Sequence, residues 1–405
     1  MAEKGNLGKF SRADFVRIVA NRVKAISAGK NAPVKDLYSY APNKLAAALH
    51  PHVQQLKVRE IIEHSPDMKS FIFAPDPAKG TEKLAWFSAG QYIVICVKID
   101  GKAYSRPYSI ASSPRDALSG EMRITVKRVE GGVVSQYILD NWTGGTEVIA
   151  SAPLGEFTYE PLRDAKTVVG IAGGSGITPF RSLAKAILEG DEDCNLTLLY
   201  GSRTPEDAVF SDEIAEWAKQ CPKIKLVNVY SEKKKRGCET GFINAKIIKK
   251  YAPEDEAYSI FLCGPQAMYE FADKEIETLG LRRKFVRHEL FGEYFHPEKN
   301  EDYPGDIEKT YRLTVRIGDK EQTVDCPANT TLLRAMEAAG ITAPSDCRSG
   351  RCGWCRSQLT DGEVYIPEST DGRRMADKIY GYVHPCCSFP LSDVTIIVPP
   401  TPYGA

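Results

Sequence analysis

"VVGIAGGSGITPF", residues 168–180, decides the fold of this chain. Its first residues are apolar or glycine without alternation, as in a strand covered on both faces of a parallel sheet. The glycines then end the strand, and Thr178 and Pro179 open a helix, where proline is tolerated because the first N–H groups have no helical partner. Such a strand, turn and helix set free backbone N–H groups and the positive end of a helix dipole toward an anion such as a dinucleotide pyrophosphate. The spacing departs from strict G-x-G-x-x-G, so the generic fingerprint is only partly met. Further along, "NLTLLYGS" (195–202), "KLVNVYS" (225–231) and "YSIFLCG" (258–264) repeat the buried-strand pattern between helical stretches, which predicts a doubly wound parallel α/β domain over residues 161–305.

The pattern changes on both sides. Over 55–160, short runs such as "QYIVICVKI" and "EMRITVKRV" lie between Gly, Pro and Ser, predicting an antiparallel β-barrel. Residues 1–54 read as a helical extension, its helix "SRADFVRIVANRVKAISAG" capped by Ser11. After the polar linker "HPEKNEDYPGD", residues 306–405 offer a hairpin ("TYRLTVRIG", "KEQTVDCP"), one helix at "TTLLRAMEAAG" and a crowd of cysteines, a small α+β domain. The chain is therefore multidomain.

Fifty-three basic residues balance fifty-three acidic ones, so no global field selects nucleic acid or a membrane surface. No apolar run approaches the roughly 20 residues of a membrane span, and the start lacks the apolar core of a signal peptide. The expectation is a cytoplasmic protein, whose eleven cysteines are explained by metal or redox chemistry and some buried thiols rather than by disulfides.

"CRSGRCGWC", residues 347–355, presents Cys347, Cys352 and Cys355 from one loop, with Gly350 and Gly353 letting the backbone fold closely around sulfur. A fourth thiolate must come from elsewhere, and "HPCCSFPLSD" supplies Cys386 and Cys387. Soft thiolates suit iron–sulfur clusters, Cu(I) or zinc, although paired CxxC knuckles are absent. If the adjacent pair lies on a strand, the two side chains face opposite ways and only one serves the site. In "RPYSIASSP" (106–114), Arg106 can fork onto a diphosphate, Tyr108 can cover a flat ring and Ser109 can hydrogen-bond a ring nitrogen. The doublet Gly131-Gly132 leads into a helix start at "VVSQYIL", again suited to phosphate.

Two resemblances sharpen this reading. The Cys-x4-Cys-x2-Cys spacing, "LTDGEV" and "PLSDVTI" resemble plant-type [2Fe–2S] ferredoxins. The resemblance implies Cys347, Cys352, Cys355 and Cys386 as ligands, with Pro390 four residues after the last and Cys387 a passenger. Residues 55–305 resemble the ferredoxin reductase superfamily. That resemblance implies a flavin site of Arg106, Pro107, Tyr108, Ser109 and Lys127, with the turn Gly131, Gly132, Val133, Val134 and Ser135 on the pyrophosphate. The loop "SAPLGEF" is similar to FAD-binding rather than FMN-binding members. It further implies a nicotinamide loop of Gly173, Gly174, Gly176, Thr178 and Pro179, and a second loop, Cys263, Gly264, Pro265 and Met268, bringing a cysteine to the reacting ring. Ser109, Cys263 and Tyr108 are thus the expected catalytic residues.

The order of modules resembles oxygenase-reductase and hybrid-cluster-protein-reductase subunits. It implies an NAD(P)H-dependent FAD and [2Fe–2S] reductase that turns hydride into single electrons for a redox protein acceptor or oxygenase component, with the cluster as exit. Alternatives are a ferredoxin:NAD(P) oxidoreductase running in reverse and a non-catalytic docking subunit. Nucleotide choice falls to Ser202, Arg203, Ser231 and the Glu232 beside it. A carboxylate there should repel a 2′-phosphate, so NADH is expected over NADPH.

Overall fold

A computed structural model of the chain describes residues 11–30, 40–289 and 294–400. It divides into two compact units, Met1–Ala48 and Leu49–Ala405. The first helix, α1 (Arg12–Lys30), begins where its cap stands. Ser11 Oγ accepts the Asp14 N–H at 3.1 Å, and the Asp14 carboxylate accepts the Ser11 N–H at 3.0 Å. A second helix, α2, spans Ala41–Leu49.

The antiparallel barrel is built from β1 (Val53–Ser65), β2 (Met68–Pro75), β3 (Tyr92–Ile99), β4 (Lys102–Ser109), the short α3 (Pro114–Leu118), β5 (Met122–Lys127), α4 (Val133–Asn141) and β6 (Glu147–Ser151). Its strand order is β4-β3-β6-β1-β2-β5, and an Ile110–Ile124 bridge joins the end of β4 to β5. Alternation drives the closure: Leu56, Val58, Phe71, Phe73, Ile93, Ile95, Ile124 and Val126 point inward, and α4 plugs one side with Val134 and Ile138. Val53 and Gln54, which the sequence reading leaves in the extension, are the first residues of β1. The buried Gln54 amide donates to the Ser151 carbonyl and accepts from Ala85 N–H, both at 2.8 Å.

The parallel unit comprises β7 (Thr167–Gly173), α5 (Thr178–Glu189), β8 (Asn195–Ser202), α6 (Ser211–Gln220), β9 (Ile224–Tyr230), β10 (Glu239–Thr240), α7 (Ala245–Tyr251), β11 (Tyr258–Cys263), α8 (Gln266–Glu277) and β12 (Val286–Glu289). The order β10-β9-β8-β7-β11-β12 runs outward from β7 and then returns to its other side, so the switch point lies between β7 and β11. Every residue of β7 is buried, as its uninterrupted apolar run requires. Arg181 of α5 crosses to the barrel, donating to the Ala111 carbonyl at 2.5 Å while pairing with Glu213, and Phe157 packs on Phe180 and Phe261.

The C-terminal elements are β13 (Thr310–Ile317), β14 (Lys320–Pro327), α9 (Leu332–Ala338), β15 (Ser357–Asp361), β16 (Val364–Tyr365), α10 (Met375–Ile379), β17 (Tyr382–Val383), β18 (Phe389–Pro390) and β19 (Val394–Ile397). A mixed sheet of order β14-β13-β19-β15-β17 carries α9, whose Thr331 cap accepts the Arg334 N–H at 3.3 Å. Two expectations change here. A second short helix, α10, accompanies α9, and Cys386 and Cys387 lie in a turn before β18 rather than on a strand. Among the described residues no helix is long and apolar enough to cross a membrane.

Candidate functional site

The carboxyl ends of β7 and β11 meet in register, Ala172 beside Cys263. The loops that follow interlock because they carry glycine. A Cβ on Gly173 would stand 2.2 Å from Met268 Sδ, and one on Gly176 only 2.1 Å from the Cys263 carbonyl oxygen. Gly174 takes the left-handed conformation (φ +51), and Thr178 Oγ1 donates to the Ser175 carbonyl at 2.7 Å as Pro179 enters the first turn of α5. On the facing loop, Gly264 N–H donates to Tyr269 Oη at 3.1 Å, and Tyr269 in turn donates to the Glu289 carbonyl, with Pro265 capping α8. Cys263 is 3% exposed, and burial pushes its thiol well above the usual range, so it is held protonated.

Glu289 is a feature that sequence reading missed. Its carboxyl is buried and pushed far upward, first by desolvation and then by the Cys347 thiolate charge. A Cβ on Gly155 would lie 2.8 Å from the Tyr92 ring and 4.0 Å from Glu289 Oε1, so a neutral acid sits where parallel sheet and barrel meet. A single acid at a strand end has no spacing signal.

The two segments expected to read the nucleotide's ribose come together at the ends of β8 and β9. Ser231 N–H donates to the Ser202 carbonyl at 3.1 Å, and Glu232 N–H to the Arg203 carbonyl at 3.0 Å. Arg203 is exposed and faces Asp207 at 3.4 Å, Lys233 pairs with Glu206 at 2.6 Å, and Glu232 is exposed.

On the barrel, Arg106, Pro107, Tyr108 and Ser109 occupy the end of β4, and Tyr108 packs partly against the core. Burial raises the Tyr108 phenol, with the Arg106 charge opposing it. Lys127 ends β5 opposite Met68. Gly131 is left-handed (φ +67) with open space where a Cβ would stand, and Gly132 caps α4 ahead of Val133 and Val134. This backbone-lined opening at a helix N-terminus fits a phosphate. The Ser135 hydroxyl is spent locally, accepting from Val129 N–H at 3.1 Å and donating to the Gly132 carbonyl at 3.4 Å, so it anchors the turn. Arg106 points to an unexpected partner, Glu337 of α9, at 3.2 Å.

The cysteines fall into two pairs. Cys355 and Cys386 sulfurs lie 3.4 Å apart, and Cys347 and Cys352 hydrogen-bond to each other. Backbone N–H groups of Ser349 and Cys352 point at Cys347 Sγ at 3.5 and 3.3 Å, and that of Trp354 at Cys352 Sγ at 3.4 Å. One thiol of each pair, Cys347 and Cys386, is pulled below the usual range, chiefly by the hydrogen bond from its partner sulfur. Among the described residues no three His, Cys, Asp or Glu side chains converge as a single metal ion would need. Two cysteine pairs, drawn from one loop and one turn, would supply the four thiolates that a [2Fe–2S] cluster takes from protein. Cys387 turns away, its sulfur donating to the His384 carbonyl at 3.4 Å and standing 2.8 Å from where a Gly350 Cβ would be. All eleven cysteines are free thiols.

Comparison with known proteins adds three domain matches in sequence: an oxidoreductase FAD-binding domain at residues 55–159, an oxidoreductase NAD-binding domain at 171–274 and a 2Fe-2S iron-sulfur cluster binding domain at 315–391. The ferredoxin reductase component of 3-ketosteroid-9-alpha-monooxygenase from Mycobacterium tuberculosis is 30% identical over 357 residues, covering 85% of this chain and 95% of that protein. The glycine betaine monooxygenase reductase subunit of Chromohalobacter salexigens is 26% identical over 359 residues, covering 83% and 93%. The structure of phthalate dioxygenase reductase superposes with a TM-score of 0.61 at 25% identity, over 86% of this chain and 98% of that one.

Proposed function

This chain belongs to the family of reductases that join an FAD-binding, an NAD-binding and a [2Fe–2S] domain in that order, and from that premise we propose that it feeds single electrons from NADH to an oxygenase-type protein partner. The reading is supported above all by the position of the cysteine loop. Cys347 is buried against Tyr92 and Val94 of the flavin barrel, whereas Cys352, five residues on, is exposed. One loop therefore touches the donor side and opens to solvent. A bound flavin supplies the exchange between a two-electron hydride and the one-electron capacity of an iron–sulfur centre.

The chain's own residues take the following parts. Arg106 and the Gly131–Ser135 turn hold the FAD diphosphate, Tyr108 covers the ring, and Ser109 hydrogen-bonds its edge, with Pro107 and Lys127 flanking. Gly173, Gly174, Gly176, Thr178 and Pro179 receive the nicotinamide dinucleotide pyrophosphate, and Gly264, Pro265 and Met268 shape the facing wall. The protonated Cys263 thiol packs at the reacting ring, where a neutral group adds no charge against hydride departure. Cys347, Cys352, Cys355 and Cys386 would hold the [2Fe–2S] cluster, which accepts one electron at a time. Ser202, Arg203 and Ser231 line the ribose end, and the exposed Glu232 disfavours a 2′-phosphate. Eleven free thiols favour a reducing, cytoplasmic setting.

The test is Cys352→Ser. The variant should bleach its FAD with NADH and reduce ferricyanide-type dyes at wild-type rate, while electron delivery to a one-electron protein acceptor collapses. Protein acceptors reduced at the wild-type rate would make the flavin the exit.

A further inference from the structure

Among the described residues Arg348 is the largest fully buried side chain, 1% exposed, and it follows the proposed cluster ligand Cys347 directly. Its backbone is left-handed (φ +57), a conformation that non-glycine residues hold only when their surroundings demand it. Its side chain is held by Glu337 of α9. Arg348 Nη1 and Nη2 donate to the two Glu337 oxygens at 2.7 and 2.8 Å, a forked pair. The same carboxylate receives Arg106 of the barrel, at 3.2 and 3.4 Å from Nη1 and 3.4 Å from Nη2, across 231 residues of chain. Around it, Ser105 and Ser345 hydroxyls meet at 2.6 Å, Arg348 reaches the Ser105 carbonyl at 3.4 Å, and Lys102 donates to the Ala338 carbonyl.

We infer that Glu337 is a positioning residue for internal electron transfer, one buried carboxylate that locks the cluster loop onto the flavin barrel by joining Arg348 to Arg106. The inference rests on the reading of Arg106 as a flavin-side residue and Cys347 as a cluster ligand. Two forces act on Glu337→Gln in opposite directions, which makes it decisive. Removing the negative charge leaves Arg348 uncompensated beside the thiolates, so the cluster's midpoint potential rises and the driving force for its reduction grows. The same change breaks a buried pair and loosens the loop, so the flavin-to-cluster distance is no longer fixed and electron transfer slows for want of position while its driving force grows.

E337Q is therefore expected to bleach its flavin with NADH at the wild-type rate in stopped-flow, show a raised cluster potential, and yet reduce the cluster severalfold more slowly than wild type. Limited proteolysis of the linker around residues 294–309 should quicken. Glu337→Asp, which keeps the charge on a shorter arm, should recover part of the cluster rate and the original potential, and it carries the test if E337Q loses its cluster on purification. Cluster reduction in E337Q at or above the wild-type rate overturns the inference, as does a parallel fall in flavin bleaching. Wild-type protein that fails to bleach with NADH would instead refute the proposed function.

Discussion

Gly176→Ala tests the nucleotide loop most sharply, because the obstacle is space alone. Gly176 is not in the left-handed region, so alanine is conformationally permitted. Its Cβ would nevertheless lie 2.1 Å from the Cys263 carbonyl oxygen, 2.5 Å from its carbon and 2.7 Å from Gly264 nitrogen. All three are backbone atoms, so no side chain can swing aside. Restoring a 3.0 Å contact requires the two loops to part by about 0.9 Å, the difference between that limit and 2.1 Å. Overpacking of this kind costs about 1–3 kcal/mol. If that strain is borne by the nucleotide-binding loops, at about 1.4 kcal/mol per factor of ten, kcat/KM for NADH should fall roughly fivefold to somewhat over a hundredfold. The assay is steady-state dye reduction with varied NADH, alongside FAD content, which should hold, and thermal melts, which should fall with the same strain. Gly144→Ala, with nothing within 4 Å of the added Cβ, is the silent control. An NADH kcat/KM for Gly176→Ala that matches the control would refute the interlocked-loop account.

Three further outcomes are expected. Cys386→Ser should abolish the visible iron–sulfur absorbance and Cys387→Ser should preserve it, since the Cys386 sulfur lies 3.4 Å from that of Cys355 whereas Cys387 donates to the His384 carbonyl; the opposite pattern moves the ligand to Cys387. Wild-type enzyme should favour NADH, and Glu232→Arg should shift the kcat/KM ratio toward NADPH by about tenfold; an unchanged ratio removes Glu232 from the selectivity site. Burial, aided by Asp191 and Glu160, raises the Glu192 carboxyl from 4.5 to about 7. The folded state thus holds that proton more tightly than the unfolded chain, so its stabilising contribution is full below pH 4.5 and lost as pH rises through about 7. Glu192→Gln should therefore melt higher than wild type at about pH 8 and no higher near pH 4, and equal melting at both would contradict the shift.

What the sequence disclosed and what it withheld follow from the range of the forces involved. The apolar run of β7 and the short runs of β3 and β5 set between Gly, Pro and Ser are local patterns, and they point to a parallel sheet and a barrel without any contact being known. Cysteine spacing is local too, and it pointed to an iron–sulfur loop. Glu337 gave no such sign. It reads as one more polar residue in "RAMEAAG", and its role depends on Arg106, far away in the chain, arriving beside it. Glu289 and Tyr92 were silent for the same reason. The Cys386-Cys387 ambiguity was posed as a question of strand faces, but the pair sits in a turn, where the hydrogen bond from Cys387 to His384 does the sorting.

The contact between Lys102–Arg106 and Glu337–Arg348 closes a loop that contains the entire parallel sheet. The nucleotide-binding module is thus a parenthesis: two modules separated in the gene are neighbours in space, and the hydrogen bonds and ion pair named here, Lys102 to Ala338, Ser105 to Ser345 and Arg106 to Glu337, use no residue of the module between them. Loop-closure entropy grows only slowly with length, so the enclosed module can gain or lose surface segments at little cost to the junction. Covalent order and electrical order have come apart here, and the wiring of the molecule is written at the places where its ends fold back to meet.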